Sequence, residues 1–421
     1  GKANGFNGSM TASAGDPDNY GISANLNYRT NKANYFGSGG YNYRDAPGSS
    51  SSKVTYFNEN KDIIKYRNET IDYNRKNDNY NTRFGVEYSL TDKTSLTGSI
   101  LYRESDGEDV STNLNIELNP DKVLTQTYKR IEVENENDKT TEYSLNFMHD
   151  FKKDGHKLTF DFQYENSLEN NKSLINDSEK NETDNDSKNI LLKGDYVLPI
   201  GDKSQFELGF NVNLNQLNSD YLVEEFDFDT NQFYNNTNFS NTLDFEQNIY
   251  SLYSQYGNKI NKFSYLFGLR MENTDRRISL IQTHENYNKD FTEFFPTINL
   301  GLEFSESESI TLGYSRRLRR PHYWFLNPFE SRLSKTSVRK GNVNLDPTYT
   351  NSFDFGYLKR WEKLTLNASV YFQHAINNIE MGITEEWRDS KGNTIIYDPQ
   401  NPDTDPELNP DLTLVIITMP I

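Results

Sequence analysis

Along most of this chain apolar and polar residues alternate one by one. Residues 204 to 215 show the pattern most cleanly: Phe206, Leu208, Phe210, Val212 and Leu214 alternate with Glu207, Gly209, Asn211, Asn213 and Asn215. A period of two puts the first set on one face of a strand and the second set on the other. The same pattern recurs in Phe84 to Leu90, Leu96 to Tyr102, Leu158 to Tyr164, Phe263 to Met271 and Leu364 to Phe372. Between these runs the connectors alternate short and long. Short ones fall near 31–32, 91–93, 151–156, 199–203, 258–261, 305–308 and 360–362. Long ones fall near 45–78, 105–139, 168–186, 218–243, 275–290, 319–346 and 377–410. Regular segregation of short and long connectors predicts an antiparallel up-and-down sheet of about sixteen strands.

Alternation alone does not say whether the apolar face meets a protein core or lipid. The runs last about 10 to 13 residues, whereas soluble strands average about 5 to 6. Aromatic residues recur near strand ends, at Tyr102, Tyr164, Phe206, Tyr256, Phe304 and Trp361, as interfacial girdles do. The pattern therefore predicts an all-β transmembrane barrel wall in the cell outer membrane, against the alternative of a soluble multi-sheet protein.

Composition sharpens this reading. Only 34% of residues are hydrophobic, yet 14% are aromatic, among them 28 Tyr and 26 Phe. Plain acidic disorder is poor in aromatics. The mean hydropathy of -0.87 fits barrel strands joined by polar loops, and no run approaches the ~18 apolar residues of a membrane helix. A formal net charge of -18 disfavours a nucleic-acid partner. Cysteine is absent, which excludes disulfides and thiolate metal sites. The chain opens at Gly1-Lys2-Ala3-Asn4 without a leader pattern, so any export signal is expected to lie upstream or to have been removed.

Several spaced pieces between Phe295 and Glu380 go beyond periodicity. They are Phe295-Pro296-Thr297, Tyr314-Ser315-Arg316-Arg317, Arg320-Pro321, Trp324, Leu326-Asn327-Pro328-Phe329, Gly341-Asn342, Leu345, Pro347, Phe355-Gly356-Tyr357 and Asn377-Asn378-Ile379-Glu380. In order and spacing this stretch resembles the barrel of TonB-dependent receptors of the Bacteroidota type. Gly5-Phe6-Asn7-Gly8-Ser9, Tyr20-Gly21 and Asn25 to Arg29 resemble the first two strands of the same barrel. The resemblance implies about 22 strands in the complete barrel and a plug domain carrying a TonB-contacting segment. Residues 1–421 are then expected to be a partial barrel, lacking the plug and the closing strands, with Met419-Pro420-Ile421 in about the sixteenth strand.

What the resemblance implies about function is energised uptake of a scarce solute: an iron chelate, a cobalamin, an oligosaccharide or a peptide. The alternative keeps the fold and makes the chain a non-transporting structural subunit of an outer-membrane assembly, insertion or secretion complex. Expected partners are outer-membrane lipid and lipopolysaccharide, a TonB-type energising system acting through the plug, and a surface lipoprotein or other outer-membrane subunit. Neither a cofactor nor a bound metal is expected, and no catalytic residues. His149, His156, His284, His322 and His374 are scattered and match no metalloprotease pattern, and no nucleophile elbow occurs.

Candidate site residues follow from family signature and from parity. Arg320, Pro321, Trp324, Asn327, Pro328, Gly341 and Asn342 are the signature positions. If the Ile310, Leu312, Tyr314 face meets lipid, Arg317 and Arg319 face the lumen, where guanidinium forks suit a plug apex or an anionic ligand. Arg316 and Arg320 then face outward, toward headgroup phosphates. The bland reading has all four arginines paired with the protein's own acidic loops. Arg270 and Glu272, on the strand that includes Phe263 to Met271, are further candidate lumen-facing or plug and ligand contacts. His322 to Phe325 is an aromatic shelf for ligand or the packed base of a folded loop, the latter preferred. The acidic runs Glu224 to Asp229 and Asp403 to Glu407 lack the glycine and glutamate of a calcium loop and read as solvated. Ile175 to Asp186 reads as flexible. Glycines 5, 8, 21, 37, 39 and 40 are expected to line the wall where something approaches closely.

Overall fold

A computed structural model describes residues 4–58, 60–334, 337–388, 394–396, 404 and 413–420. They form β1 (Gly5–Gly15), β2 (Asn19–Arg29), β3 (Ala33–Phe57), β4 (Ile63–Thr91), β5 (Thr94–Leu118), β6 (Leu124–Asp150) and β7 (Lys157–Ile175). There follow β8 (Glu179–Ile200), β9 (Ser204–Asp227), β10 (Gln232–Asn235), β11 (Asn241–Ile260), β12 (Phe263–Leu280), β13 (Glu285–Ser305) and β14 (Glu308–Arg319). Beyond these come α1 (Tyr323–Leu326), β15 (Ser331–Ser334), β16 (Ser337–Arg339), β17 (Thr348–Arg360), β18 (Thr365–Ile376), β19 (Met381–Arg388), β20 (Thr394–Ile395) and β21 (Thr413–Pro420).

Sheet order is chain order. β1 to β9, β11 to β14, β17 and β18 are fifteen successive neighbours in one sheet, and β10, by pairing with β9, is its sixteenth strand. A second sheet has the order β15, β16, β21, β19, β20. The last segment, read from sequence as the sixteenth wall strand, thus belongs to this smaller sheet, antiparallel to β19 and parallel to β16. Two compact units are distinguished: Gly1–Asn146 with Gln163–Asn189 and Leu217–Thr242, and Phe147–Phe162 with Ile190–Gln216 and Leu243–Ile421.

In the first unit the segments that read as long connectors are largely strand. β3 and β4 stay paired from Ala33 with Tyr88 to Phe57 with Ile63, which takes in most of residues 45–78. β4 and β5 likewise pair from Thr91 with Thr94 to Tyr66 with Leu118. Hydrophobic alternation is lost there because both faces are polar, but the backbone groups still need partners and find them across the hairpin. Cross-strand charge pairs support the extension, as in Arg67 with Glu117 at 2.6 Å and Lys172 with Glu182 at 2.6 Å. Residues Ile175 to Asp186 are ordered as a hairpin: Asn176 and Asp177 both adopt left-handed backbone, the geometry that suits a two-residue turn. The Asn176 side chain then accepts from the Ile131 amide at 2.8 Å.

The second unit shows both the apolar belt and its reverse. On β12 Phe267, Leu269 and Met271 are exposed, while Glu272, Thr274, Arg276, Ile278 and Leu280 are buried on the other parity. Partners across the ladder repeat the division, Met271 opposite the exposed Phe294 and Arg270 opposite the buried Phe295. At the short-turn end Gly155 and Gly201 take positive φ, which residues with a Cβ rarely tolerate. Lys153 ties these two turns together by donating to the carbonyls of Pro199 and Gly201 at 3.1 and 2.8 Å. His156 is spent locally, stacked on the Phe151 ring and hydrogen-bonded to the Tyr196 hydroxyl at 2.9 Å.

A charged inner face and a clasped segment

Opposite the apolar belt, the second unit carries a connected row of charged groups. Glu272 accepts from Arg270 Nε at 2.5 Å and from Arg320 Nη2 at 2.7 Å. Arg320 also donates to Thr274 Oγ1 at 2.8 Å. Arg270 reaches Ser251 at 2.8 Å and lies 5.3 Å from the Tyr253 ring centre. The Tyr253 hydroxyl donates to Asp195, which pairs with Lys193 at 2.7 Å. Strand alternation places these groups together, and low exposure strengthens each charge-assisted bond.

The arginine run of β14 divides by parity, with one correction. Arg317 and Arg319 are exposed, whereas Arg320 meets Glu272, and Arg316 pairs with Glu293 at 3.5 Å while lying 4.9 Å from the Tyr349 ring centre. Arg316 and Arg320 therefore do not point at headgroup phosphates. β14 pairs with β13 only as far as Ser315 with Thr297, and beyond it continues with β17 alone. Where β13 parts from β14, the Arg316 and Arg320 side chains reach Glu293 of β13 and Glu272 of β12.

Pro321, with no N–H to donate, stands two residues past the end of β14 at Arg319, and the chain folds into a compact segment. Leu326 at the end of α1 has no exposed surface. The signature residues form a backbone clasp: Gly341 donates to the Asn327 carbonyl at 2.6 Å and Asn342 to the Phe325 carbonyl at 2.7 Å. A Cβ on Gly341 would sit 2.4 Å from the Asn327 oxygen, so only glycine fits. Asn327 Oδ1 accepts from the Phe329 amide, which fixes the turn through Pro328. Trp324, itself exposed, is stacked on Phe325 at 3.7 Å and has Arg339 at 5.3 Å from its ring centre.

Anchors that sequence reasoning missed hold this segment to the strands. Arg276, 3% exposed, donates to the Val343 carbonyl at 3.2 Å, and Lys289 pairs with Asp346 at 2.6 Å. Arg276 lies on the same parity as Glu272, which was the available signal. At the end of β19 in the small sheet, Arg388 forks onto Glu330 at 2.6 and 2.8 Å and also bonds Glu386, and Lys340 stands beside Glu330. The Glu330 carboxyl sits below its ordinary value: burial works to raise it, and the bonds from Arg388 and Lys340 outweigh that effect.

A depressed folded value means that Glu330 contributes stability above the ordinary carboxylate range and loses it as pH falls from that range through its own lower folded value. Acidification below about pH 4 is expected to loosen β19 first. The emission of Trp387 in β19, with Trp324 and Trp361 replaced by Phe, would report it. Glu330→Gln should remove this acid transition; persistence of the same transition would disprove the assignment.

Of the acidic runs, Asp227 caps its own turn by accepting from the Asp229 amide at 2.8 Å. The run 403–407 lies outside the described residues except for Thr404. Gly8 and Gly21 do meet close neighbours, but these belong to the adjacent strands: the Asn25 carbonyl and Leu26 side chain for Gly8, and the Tyr41 carbonyl with the Asn42 and Ser13 side chains for Gly21.

A family model described as the outer membrane protein beta-barrel family matches residues 149–416. The chain belongs to that family. It is accordingly an outer-membrane protein, in agreement with the receptor-barrel resemblance read from Phe295 to Glu380. No curated protein sequence matches it. Among solved structures the barrel is similar to the alcaligin outer-membrane receptor FauA of Bordetella pertussis, at 14% identity and a TM-score of 0.56, over 90% of this chain and 53% of that one. It is similar to the copper transporter OprC at 13% identity and a TM-score of 0.57, covering 93% and 56%. Similarity to the ferripyoverdine receptor of Pseudomonas aeruginosa is 12% in sequence with a TM-score of 0.55, covering 93% and 57%. At such identities the likeness concerns the fold, and this outer-membrane barrel chain spans about half the length of the solved chains it matches.

Proposed function

We propose that this outer-membrane barrel protein takes part in energised uptake of a scarce solute, which it binds on the charged face opposite the apolar belt. A TonB-type inner-membrane system drives release by acting on a plug within the barrel. The observation that carries the reading is the fold shared with outer-membrane receptors, among them those for alcaligin and ferripyoverdine, over 90% and 93% of this chain, combined with a face held by side-chain ion pairs. Binding and gating suffice, with no bond chemistry. Arg270 and Glu272 shape the wall, and Arg317 and Arg319 remain available to a ligand or to the plug. Its partners in the membrane are lipid, lipopolysaccharide and the energising system, and a surface lipoprotein is a further candidate.

A deletion strain tests this against iron chelates, cobalamin, oligosaccharides and peptides as sole sources. Uptake of one class should fall on deletion, return on complementation and vanish when the energising system is inactivated. Unchanged uptake of all four classes, or uptake that persists without the energising system, would refute it.

A further inference from the structure

On the long-connector side of the apolar belt, the face of β5 to β8 opposite the exposed Tyr143 and Leu145 is rich in carboxylates. Close contacts between strands fix which residues share it. A Cβ on Gly107 of β5 would lie 3.3 Å from Glu136 Oε2 of β6. The Thr140 and Ser167 hydroxyls meet at 3.0 Å across β6 and β7, and Asn185 Nδ2 of β8 donates to Glu169 Oε2 of β7 at 3.0 Å. Strand alternation then brings Asp109, Glu132, Glu134, Glu136, Asp138 and Glu169 to one face.

The cations on this face do not balance them. Arg75 is held by Asp109 at 3.0 Å, Arg130 by Glu132 at 3.1 Å and Arg83 by Glu142 at 3.3 Å, which leaves the exposed Arg103 of β5. Among the described residues, Glu134, Glu136 and Asp138 form no ion pair. Burial pushes the Glu134 and Asp138 carboxyls up from their ordinary values, and the neighbouring carboxylates add to the effect. The amides beside them are short of donors as well. Asn185 is 8% exposed, and with its Nδ2 committed to Glu169 its Oδ1 lies on this face without a hydrogen-bond partner among the described residues. Asn181, whose Nδ2 is committed to Glu179 at 3.3 Å, leaves a buried Oδ1 in the same condition, as do Asp109 and Asp138. A buried acceptor without a donor is costly, so incoming N–H groups stabilise this face.

Among the described residues no three carboxylates converge as a metal cage requires. They are spread instead, about 7 Å apart along β6 and about 5 Å across to the next strand. Successive amines of a polyamine, or alternate side chains of an extended basic peptide, recur at that spacing. We infer that this face binds a small polycation whose amine or guanidinium groups recur about 5–7 Å apart, with Glu134, Glu136, Asp138 and Glu169 as counter-charges and the Asn181 and Asn185 side-chain oxygens as neutral acceptors. The inference rests on the uptake reading for its purpose and names its substrate class.

Calorimetry on the purified full-length protein in detergent at low ionic strength tests it, with spermine and triarginine as probes and calcium as the comparison. At least one probe should bind the native protein. Glu134→Gln and Asp138→Asn should each weaken that binding about tenfold, and the two together about 100-fold. Asp106→Asn, on the opposite face of β5, should stay within about threefold of native, which separates this face from the general attraction of an acidic chain. Heat-shifted electrophoretic migration establishes that each variant is folded. Failure of both probes to bind, a double variant that binds as the native protein does, or an equal loss from Asp106→Asn would overturn the inference. So would calcium that binds more tightly than either probe and is lost in the double variant. Polycation binding lost in the double variant, with uptake unchanged in the deletion strain, would leave the site standing and remove the uptake reading.

Discussion

Glu272→Ala is expected to lower the stability of the folded protein by about 3–5 kcal/mol, the loss associated with stranding a buried charge. The carboxylate is 9% exposed and accepts from two guanidinium groups. Its removal leaves Arg320 with only Thr274 in the same pocket and Arg270 with Ser251 and the Tyr253 ring. The mutual dependence is testable through a cycle. Arg320→Leu combined with Glu272→Leu should recover part of the loss, because removing both partners leaves fewer unsatisfied groups than removing one. Urea unfolding of the refolded protein in lipid vesicles measures the difference, and a single-variant loss below about 1 kcal/mol would show that the network is solvated and carries little.

Leu326→Ala should act on the clasped segment more than on the wall. A fully buried leucine cut back to alanine costs about 2–5 kcal/mol, and here the packing it supports is that of residues 321–347. The amides of Gly341 and Asn342, bonded to Asn327 and Phe325, report the clasp directly. Their hydrogen exchange should quicken by at least roughly 30-fold, while amides in the paired part of β12 and β13 stay protected. Unchanged protection of Gly341 would mean that the clasp holds without its apolar anchor.

These two sites differ in how far the sequence revealed them. The wall was legible wherever one face is apolar: Phe263 to Met271 alternates, and β12 alternates in exposure as expected. Legibility ended where both faces are wet. Residues 45–57 and 63–78 pair along their length in β3 and β4, yet no apolar period marks them, since hairpin bonding needs no hydrophobic face. The Asn176-Asp177 turn did leave a signal, in residue types that tolerate left-handed backbone, but the polar composition around it suggested disorder instead. Parity separated Arg317 and Arg319 from Arg316 and Arg320, and it failed to say what the latter pair meets. That depends on where β14 leaves β13, a tertiary event with no local sequence mark. The signature residues Asn327, Gly341 and Asn342 were visible only as family pieces; their backbone clasp joins positions fourteen or more residues apart.

The central claim is that alternate residues face lipid on one side and water on the other, and single-cysteine labelling along β12 tests it most directly. The chain has no cysteine, so each introduced thiol is the only one within these residues. In whole outer membranes a membrane-impermeant, water-dependent thiol reagent should label cysteine at positions 264, 266 and 268 and spare positions 267, 269 and 271. Uniform labelling of all six, or the reverse alternation, would contradict a wall with its Phe267, Leu269 and Met271 face in lipid.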